Sequence, residues 1–218
     1  MKVIKPYIKD IVFYEPVGLE EYCWSAEQEI EKVGRTCYKS EDKIGPNTAE
    51  KFVRARRKTH HHAMLEFGGA ARLTIVADRG LTHELVRHRL CSFAQESTRY
   101  CNYSKGKFDG EITVVEQPGL EEGTHARELW EIAMRKAENA YLLLLENGVK
   151  PEIARSVLPI GLKSEINIAA NLREWRHIFT MRCAKAAHPI IRGIMLEALK
   201  VFNDRMPAIY EDLAEEFL

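Results

Sequence analysis

Neither sign of charge prevails in this chain: Lys+Arg and Asp+Glu both total 32, and the formal net charge is zero. A general nucleic-acid binder carries a basic excess, so neutrality argues against that class. No apolar run approaches the ~20 residues that a membrane-spanning helix needs. The opening residues, Met1-Lys2-Val3-Ile4-Lys5-Pro6, hold no secretory apolar core. Cysteine is scarce and odd in number, with five residues and no C-x-x-C spacing. Free thiols in a reducing cytoplasm are therefore favoured over disulfides or zinc. The glycine motifs that cradle phosphates are missing, as are a G-x-S-x-G elbow and paired hydrolytic carboxylates. His60-His61-His62 lacks a spaced partner such as H-E-x-x-H, and three adjacent side chains cannot converge on one ion, so no metal is expected. One or two of these histidines are expected to face a site. Difficult chemistry would fall to a bound cofactor.

What the chain does have is a local concentration of cations. Residues 87–99 read Arg-His-Arg-Leu-Cys-Ser-Phe-Ala-Gln-Glu-Ser-Thr-Arg, three arginines with Glu96 as the sole acid. The planar guanidinium suits phosphate through two parallel hydrogen bonds. His88, between two arginines, is expected to titrate low because adjacent positive charge disfavours its cation. Arg155, Arg173, His177 and Arg182, with Asn171, recur inside segments otherwise rich in apolar residues. Together they point to a polyanionic ligand.

At 218 residues the chain suffices for one domain, 1–218. Short strands are expected at Val3-Ile4 and Ile11–Tyr14, then a helix from about Leu19 to Val33 ended by Gly34, and a polar turn from Gly34 to Ser40. A second helix follows Gly45-Pro46-Asn47-Thr48, capped by Asn47 or Thr48 with Glu50 in capping-box position. Its run Arg54, Arg56, Arg57 and Lys58 reads as a solvated face. A strand over Phe67 to Asp78 precedes a helix, capped by Thr82, that carries Arg87, His88 and Arg89 to about Cys91. Ser92 to Lys107 reads as a loop and Glu111 to Glu116 as a strand. A long amphipathic helix spans Thr124 to Glu146, with Ala126, Leu129, Trp130, Ala133, Ala137, Tyr141 and Leu144 on its apolar side. Lys163 to Ala169 alternates as a half-buried strand, a helix from Asn171 reaches Arg182, and a last helix from Pro189 to Phe217 meets Pro207 as a break or kink. The sum is an α+β, helix-rich single domain with a small mixed or antiparallel sheet.

Arg87-His88-Arg89, seven residues, then Ser97 resembles the R-H-R-x7-S signature of the flavin-dependent thymidylate synthases. Leu81 to Val86 leads in and Gln95 to Tyr100 leads out much as in that family. Arg35-Thr36-Cys37-Tyr38, the His61 to Glu66 spacing, Arg155-Ser156-Val157-Leu158-Pro159 and Asn171-Leu172-Arg173 through Arg182 are similar and in the same order. The likeness covers about residues 30 to 195. It implies the family's α+β fold and the reductive methylation of dUMP to dTMP, with methylenetetrahydrofolate as carbon donor, NADPH as hydride source and FAD as bound cofactor. By resemblance, Arg87, His88, Arg89, Gln95, Asn171, Arg173 and His177 contact FAD. Ala63 falls where a hydroxyl that contacts FAD is usual. Gln95, Ser97 and Arg99, with Arg155 of another subunit, grip dUMP, and Arg87 joins them. Glu84 stands where glutamine is usual and is expected to face a ribose hydroxyl or a neighbouring cation. Arg182 is placed against the uracil, where a fixed cation promotes anionic character in the ring. Ser97 has no adjacent general base, which favours binding over nucleophilic attack. Phe67 and His188 also depart from the family's usual residues. A homo-oligomer, a homotetramer by resemblance, follows from the shared site. Two other readings stay open: a flavin enzyme of the same family that hydroxymethylates a pyrimidine nucleotide, and a non-enzymatic nucleotide- or RNA-binding protein.

Overall fold

Alternation decides the sheet. In β6 (Lys163–Asn171) Ser164, Ile166, Ile168 and Ala170 are buried while the residues between them are half-exposed, as a period of two requires. The structure, a computed structural model, describes residues 1–16 and 25–218. β6 lies in a four-stranded sheet of order β2-β3-β6-β4, with β2 at Tyr7–Tyr14, β3 at Ala70–Asp78 and β4 at Ser92–Gln95. A separate parallel pair joins β1 (Lys2–Ile4) to β5 (Thr113–Val115), with Val3 opposite Val114. With eight α-helices among the described residues, the chain is α+β and helix-rich. None of these helices is long and apolar enough to cross a membrane.

The chain divides into two compact units. The first comprises Met1–Lys9, Thr74–Arg87 and Phe93–Asn167. Its long helix α4 (His125–Glu146) starts where Thr124 Oγ1 accepts from Arg127 N and ends at Asn147, before Gly148 at φ 80°. Tyr103, Ile112, Val114, Tyr141, Ala154 and Leu162 form its core, with Trp130, Met134 and Leu144 against them. The expected apolar side of α4 is only partly covered: Leu129 is 54% exposed and Ala126 and Ala133 are exposed as well. Helices α3 (Arg79–Leu85) and α5 (Pro151–Ala154) complete the unit.

The second unit comprises Asp10–Leu73, His88–Ser92 and Ile168–Leu218. It holds α1 (Ala26–Tyr38), α2 (Ala49–Lys58), α6 (Leu172–Arg182), α7 (Pro189–Arg205) and α8 (Pro207–Phe217). Trp175, Phe179, Phe202 and Tyr210 cluster with ring centroids 5.0 to 5.8 Å apart. All four are fully buried. Each such side chain contributes about 1.5–3 kcal/mol by burial, and their polar atoms are satisfied: Trp175 Nε1 donates to Ala71 O at 2.9 Å and Tyr210 Oη to Leu172 O at 3.0 Å. Pro207 breaks the last helix into α7 and α8, as its missing N–H demands.

Several expectations are corrected. The start expected at Leu19 lies outside the described residues; α1 begins at Ala26 with Ser25 as its cap, and Gly34 does not end it. α1 continues to Tyr38, absorbing the expected turn, and closes at Lys39 with φ 47°. Gly34 serves packing instead, since a Cβ there would sit 2.5 Å from Phe52 Cε1 and 2.8 Å from Met64 Sδ. Thr48 stands at the N-cap of α2 without a side-chain cap bond, and no Asn47–Glu50 box forms. Its hydroxyl donates to Glu31 Oε2 at 2.8 Å. Arg57 does not belong to a solvated face: it is buried and bonds Glu211 Oε1 at 2.6 Å and Ala208 O at 2.9 Å. β3 begins at Ala70, after a 3-10 turn over Ala63–Phe67. The expected loop from Ser92 opens with β4, whose four residues are too few to show a period.

Candidate active site

α3 corrects the most consequential expectation. Its cap is Asp78, whose Oδ1 accepts from Leu81 N at 2.8 Å, and it ends at Leu85. Thr82 is fully buried inside the helix and donates its hydroxyl to Arg79 O at 3.0 Å. Arg87, His88 and Arg89 therefore lie beyond the helix, and no 100° helical spacing governs them. Arg87 and Arg89 are exposed while His88, between them, is buried.

The first unit gathers most of the residues expected to grip a nucleotide. After β4 the chain turns over residues 97–99, with Cys101 N bonded to Ser97 O at 2.9 Å. Ser97 Oγ accepts from Arg99 N at 3.3 Å, which leaves the serine hydrogen available to a ligand. Arg155, just past α5, donates from Nη1 to Thr98 Oγ1 at 3.3 Å and from Nε to Glu152 O at 3.1 Å. Arg155 thus meets the turn of its own chain. Arg99 Nε pairs with Glu152 Oε2 at 3.0 Å, and its side chain is 56% exposed. Such a screened pair is worth at most about 1 kcal/mol, so Arg99 exchanges it readily for a phosphate. Glu96, the one acid of the stretch, is spent within the protein: it accepts from Lys163 Nζ at 2.7 Å, Glu165 N at 3.2 Å and Tyr103 Oη at 3.4 Å. Gln95 Nε2 donates to Thr82 Oγ1 and to Ser164 Oγ, both at 3.0 Å. Glu84, half-buried, and Arg87 belong to this unit as well. A cavity of about 710 Å³ opens over Lys163, Glu165 and Asn167 and reaches Gln95 and Glu96, but Ser97, Arg99 and Arg155 do not line it.

The second unit gathers Ala63, His88, Arg89, Asn171, Arg173, His177 and Arg182. Asn171 caps α6, its Oδ1 accepting from Glu174 N at 2.8 Å, so its NH2 group remains as a donor. Arg182, at the other end of α6, donates from Nε to His88 Nε2 at 3.0 Å. That bond makes Nε2 an acceptor and puts the imidazole proton on Nδ1, 3.9 Å from the buried Glu174 carboxylate. The rings of His88 and His177 meet edge-on at 5.8 Å. Arg173 Nη1 pairs with Glu66 Oε1 at 2.6 Å, both side chains about half exposed. Ala63 and Phe67 are exposed. In the histidine run, His61 Nδ1 bonds Tyr38 Oη, and His62 Nε2 meets Arg57 O at 3.3 Å. His188 caps α7, its Nδ1 accepting from Ile190 N at 3.4 Å.

His88 titrates low, at about 4, as expected, yet for another reason. Burial is the main cause, followed by the positive charge of Arg182 and His177, not by Arg87 or Arg89. A histidine with a depressed folded pKa contributes stability that is whole above its unfolded value of ~6.5 and is lost as pH falls toward 4. Urea midpoints should fall across that window, and His88→Gln should flatten the slope. An unchanged slope in the variant would assign the titration to another group.

Glu174 escaped the sequence reading, although its three-residue spacing to His177 puts both on one face of α6. The ligand atoms of His88, Glu174 and His177 lie within 4.8 Å of one another. A divalent cation can bridge that spacing, but the Arg182 cation bonded to the same ring opposes a second positive charge. Thr98 and Ser164 were also missed, because a single hydroxyl carries no sequence signal of its role, and Thr82 was expected only as a cap.

The family model described as thymidylate synthase complementing protein matches residues 18–208. The chain belongs to that family. Among relatives, it is similar to a flavin-dependent thymidylate synthase of Corynebacterium glutamicum, 34% identical with 94% of this chain and 88% of the relative covered. It is also similar to one of Geobacter sulfurreducens, 30% identical with 90% and 85% covered. Its fold resembles the crystal structure of a UMP/dUMP methylase, PolB, from Streptomyces cacaoi, with a TM-score of 0.75 and coverage of 97% and 96% at 19% identity. As a member of the thymidylate synthase complementing protein family, the chain carries the R-H-R-x7-S stretch across both units: Arg87 and Ser97 in the first, His88 and Arg89 in the second.

Proposed function

We propose that this enzyme methylates dUMP reductively to dTMP, with FAD as bound cofactor, methylenetetrahydrofolate as carbon donor and NADPH as reductant. The observation that carries the reading is the polarised turn after β4. Ser97 offers a hydroxyl hydrogen there, Arg99 is held by a screened ion pair and by the ring of Tyr100 at 5.4 Å, and Arg155 stands on Thr98. That is a donor set for a phosphate ester, with the local acid, Glu96, already neutralised by Lys163. The residues expected to hold FAD fit it chemically: Arg89, Arg173 and the Asn171 NH2 group present only donors, which suits a pyrophosphate and carbonyl-rich ring. When bound, the flavin supplies the hydride relay. The chain's own work is to hold the nucleotide phosphate at Arg99 and Arg155, and to place the Arg182 cation where negative charge develops on the uracil. His88, neutral at working pH, accepts from Arg182 and aims it without competing for the anion.

We read the site as shared within a homotetramer in the cytoplasm. The half-exposed apolar residues Leu129, Ile132 and Leu143 of α4 support association, and the free Cys37, Cys91, Cys101 and Cys183 fit a reducing compartment. Purified protein titrated with FAD should develop a perturbed flavin spectrum and, given the other substrates, convert dUMP to dTMP. A colourless protein that binds no FAD overturns the reading, and a hydroxymethylated product redirects it within the family.

A further inference from the structure

We infer that buried Thr82 and Ser164 lock the Gln95 amide so that it offers the ligand only a hydrogen-bond acceptor, which selects substrates by a hydroxyl or N–H donor at that point. The inference rests on the dUMP reading above. The hydroxyl and amide hydrogens at this cluster can be counted. The Thr82 hydroxyl has one, and it is committed to Arg79 O at 3.0 Å. Thr82 Oγ1 can therefore only accept from Gln95, which fixes the nitrogen end of the amide on that side. Ser164 Oγ takes the second amide hydrogen at 3.0 Å. Thr82 is fully buried and Ser164 is 2% exposed. Flipping the amide would break the Thr82 helix bond or set oxygen against oxygen in a place water does not reach. Both Gln95 hydrogens are thus consumed, and Gln95 Oε1 has no protein partner among the described residues.

Two residues further along the chain the polarity reverses. Ser97, Arg99 and Arg155 present donors and cations, as described, whereas Gln95 presents a lone acceptor. A ligand that satisfies both must be bipolar, anionic at one end and a donor at the other. A nucleoside monophosphate has that form: its phosphate meets the arginines, and either a pentose hydroxyl or the pyrimidine N3–H meets Gln95. Phosphate and carbonyl oxygens are excluded from Gln95 by repulsion. Thr82 and Ser164 are positioning residues, since neither needs to touch the ligand.

The test measures dissociation constants of the FAD-loaded enzyme for dUMP, for its 3′-deoxy analogue and for N3-methyl-dUMP. One analogue, whichever lacks the donor, should bind about five- to tenfold more weakly than dUMP. In Thr82→Val and in Ser164→Ala that ratio should shrink toward one, because a freed amide can turn its nitrogen outward. Thr82→Ser, which keeps the hydroxyl, should restore it. A general structural defect would weaken all three ligands alike and leave the ratio intact, which overturns the inference. So does a wild-type enzyme that binds dUMP and both analogues equally. A wild type that binds no dUMP at all sinks the functional reading and the inference with it.

Discussion

Arg182→Ala should leave FAD bound while turnover falls by roughly two to three orders of magnitude, the usual cost of removing one preorganised charge from a developing anion. The reason lies in how the guanidinium is held. Arg182 ends α6, where a cation is favoured by the helix dipole. Its Nε is fixed on His88 Nε2 at 3.0 Å, and His88 is kept neutral by burial first and by the Arg182 charge second. The cation therefore needs no reorganisation when charge appears on the substrate. Arg182→Lys keeps a charge but lacks the planar fork that bonds His88 through one nitrogen and carries further donors beyond it, so it should recover only part of the rate. Flavin absorbance separates loss of cofactor from loss of chemistry. Turnover that survives Arg182→Ala unchanged removes this residue from the catalytic reading.

The same region shows where sequence legibility stops. The signature stretch was readable because its residue types are costly and crowded together, and the structure brings Arg155, from just past α5, to the turn that carries Arg99. β6 and α4 were readable because nine and twenty-two residues give a period room to repeat. Elements decided by one contact were not. Gly34 carries the local sign of a helix end, yet the approach of Phe52 and Met64 needs a residue without Cβ inside the helix. Asp78 outcompeted Thr82 as the cap of α3, and the helix closes at Leu85, short of Arg87 to Arg89. For His88 the sequence showed the neighbours in the chain, but burial first, and then its neighbours in space, Arg182 and His177, set its charge. Residues 17–24, where a helix was expected to start, lie outside the described structure.

The largest stability effect is expected at a carboxylate that serves two buried cations and that no motif announced. Arg176 of α6 is 8% exposed, bonds Ile209 O, and pairs through both terminal nitrogens with Asp212 of α8, at 2.8 and 2.7 Å. Arg57 of α2, equally buried, reaches the same carboxylate at 3.4 Å and Glu211 at 2.6 Å. Breaking a buried pair from one side leaves the other charge in low dielectric, at a cost of about 3–5 kcal/mol. The Asp212 side chain is 41% exposed whereas Arg176 is not, so the two deletions are unequal. Asp212→Ala strands the buried Arg176 guanidinium and takes a second anion from Arg57, which keeps Glu211; it should cost about 3 kcal/mol, the low end of that range, or roughly 6–12 °C in Tm for a chain of this size. Arg176→Met leaves a carboxylate that water can reach, and it also removes a buried Nε that lacks a partner. It should cost less than about 1 kcal/mol. The pH dependence has a definite sign. Burial alone would raise the Asp212 pKa, but hydrogen bonds and charge from Arg176, with Arg57, outweigh it and hold the carboxyl below its usual range. A carboxylate depressed in the fold contributes stability above its unfolded pKa of ~3.9 and loses it as pH falls through the folded value. Asp212→Asn should therefore narrow its gap to wild type as pH drops below 4. Equal losses for Asp212→Ala and Arg176→Met, read from denaturant midpoints at pH 7, would mean that the pair is hydrated from both sides and that α8 is held by its apolar face alone.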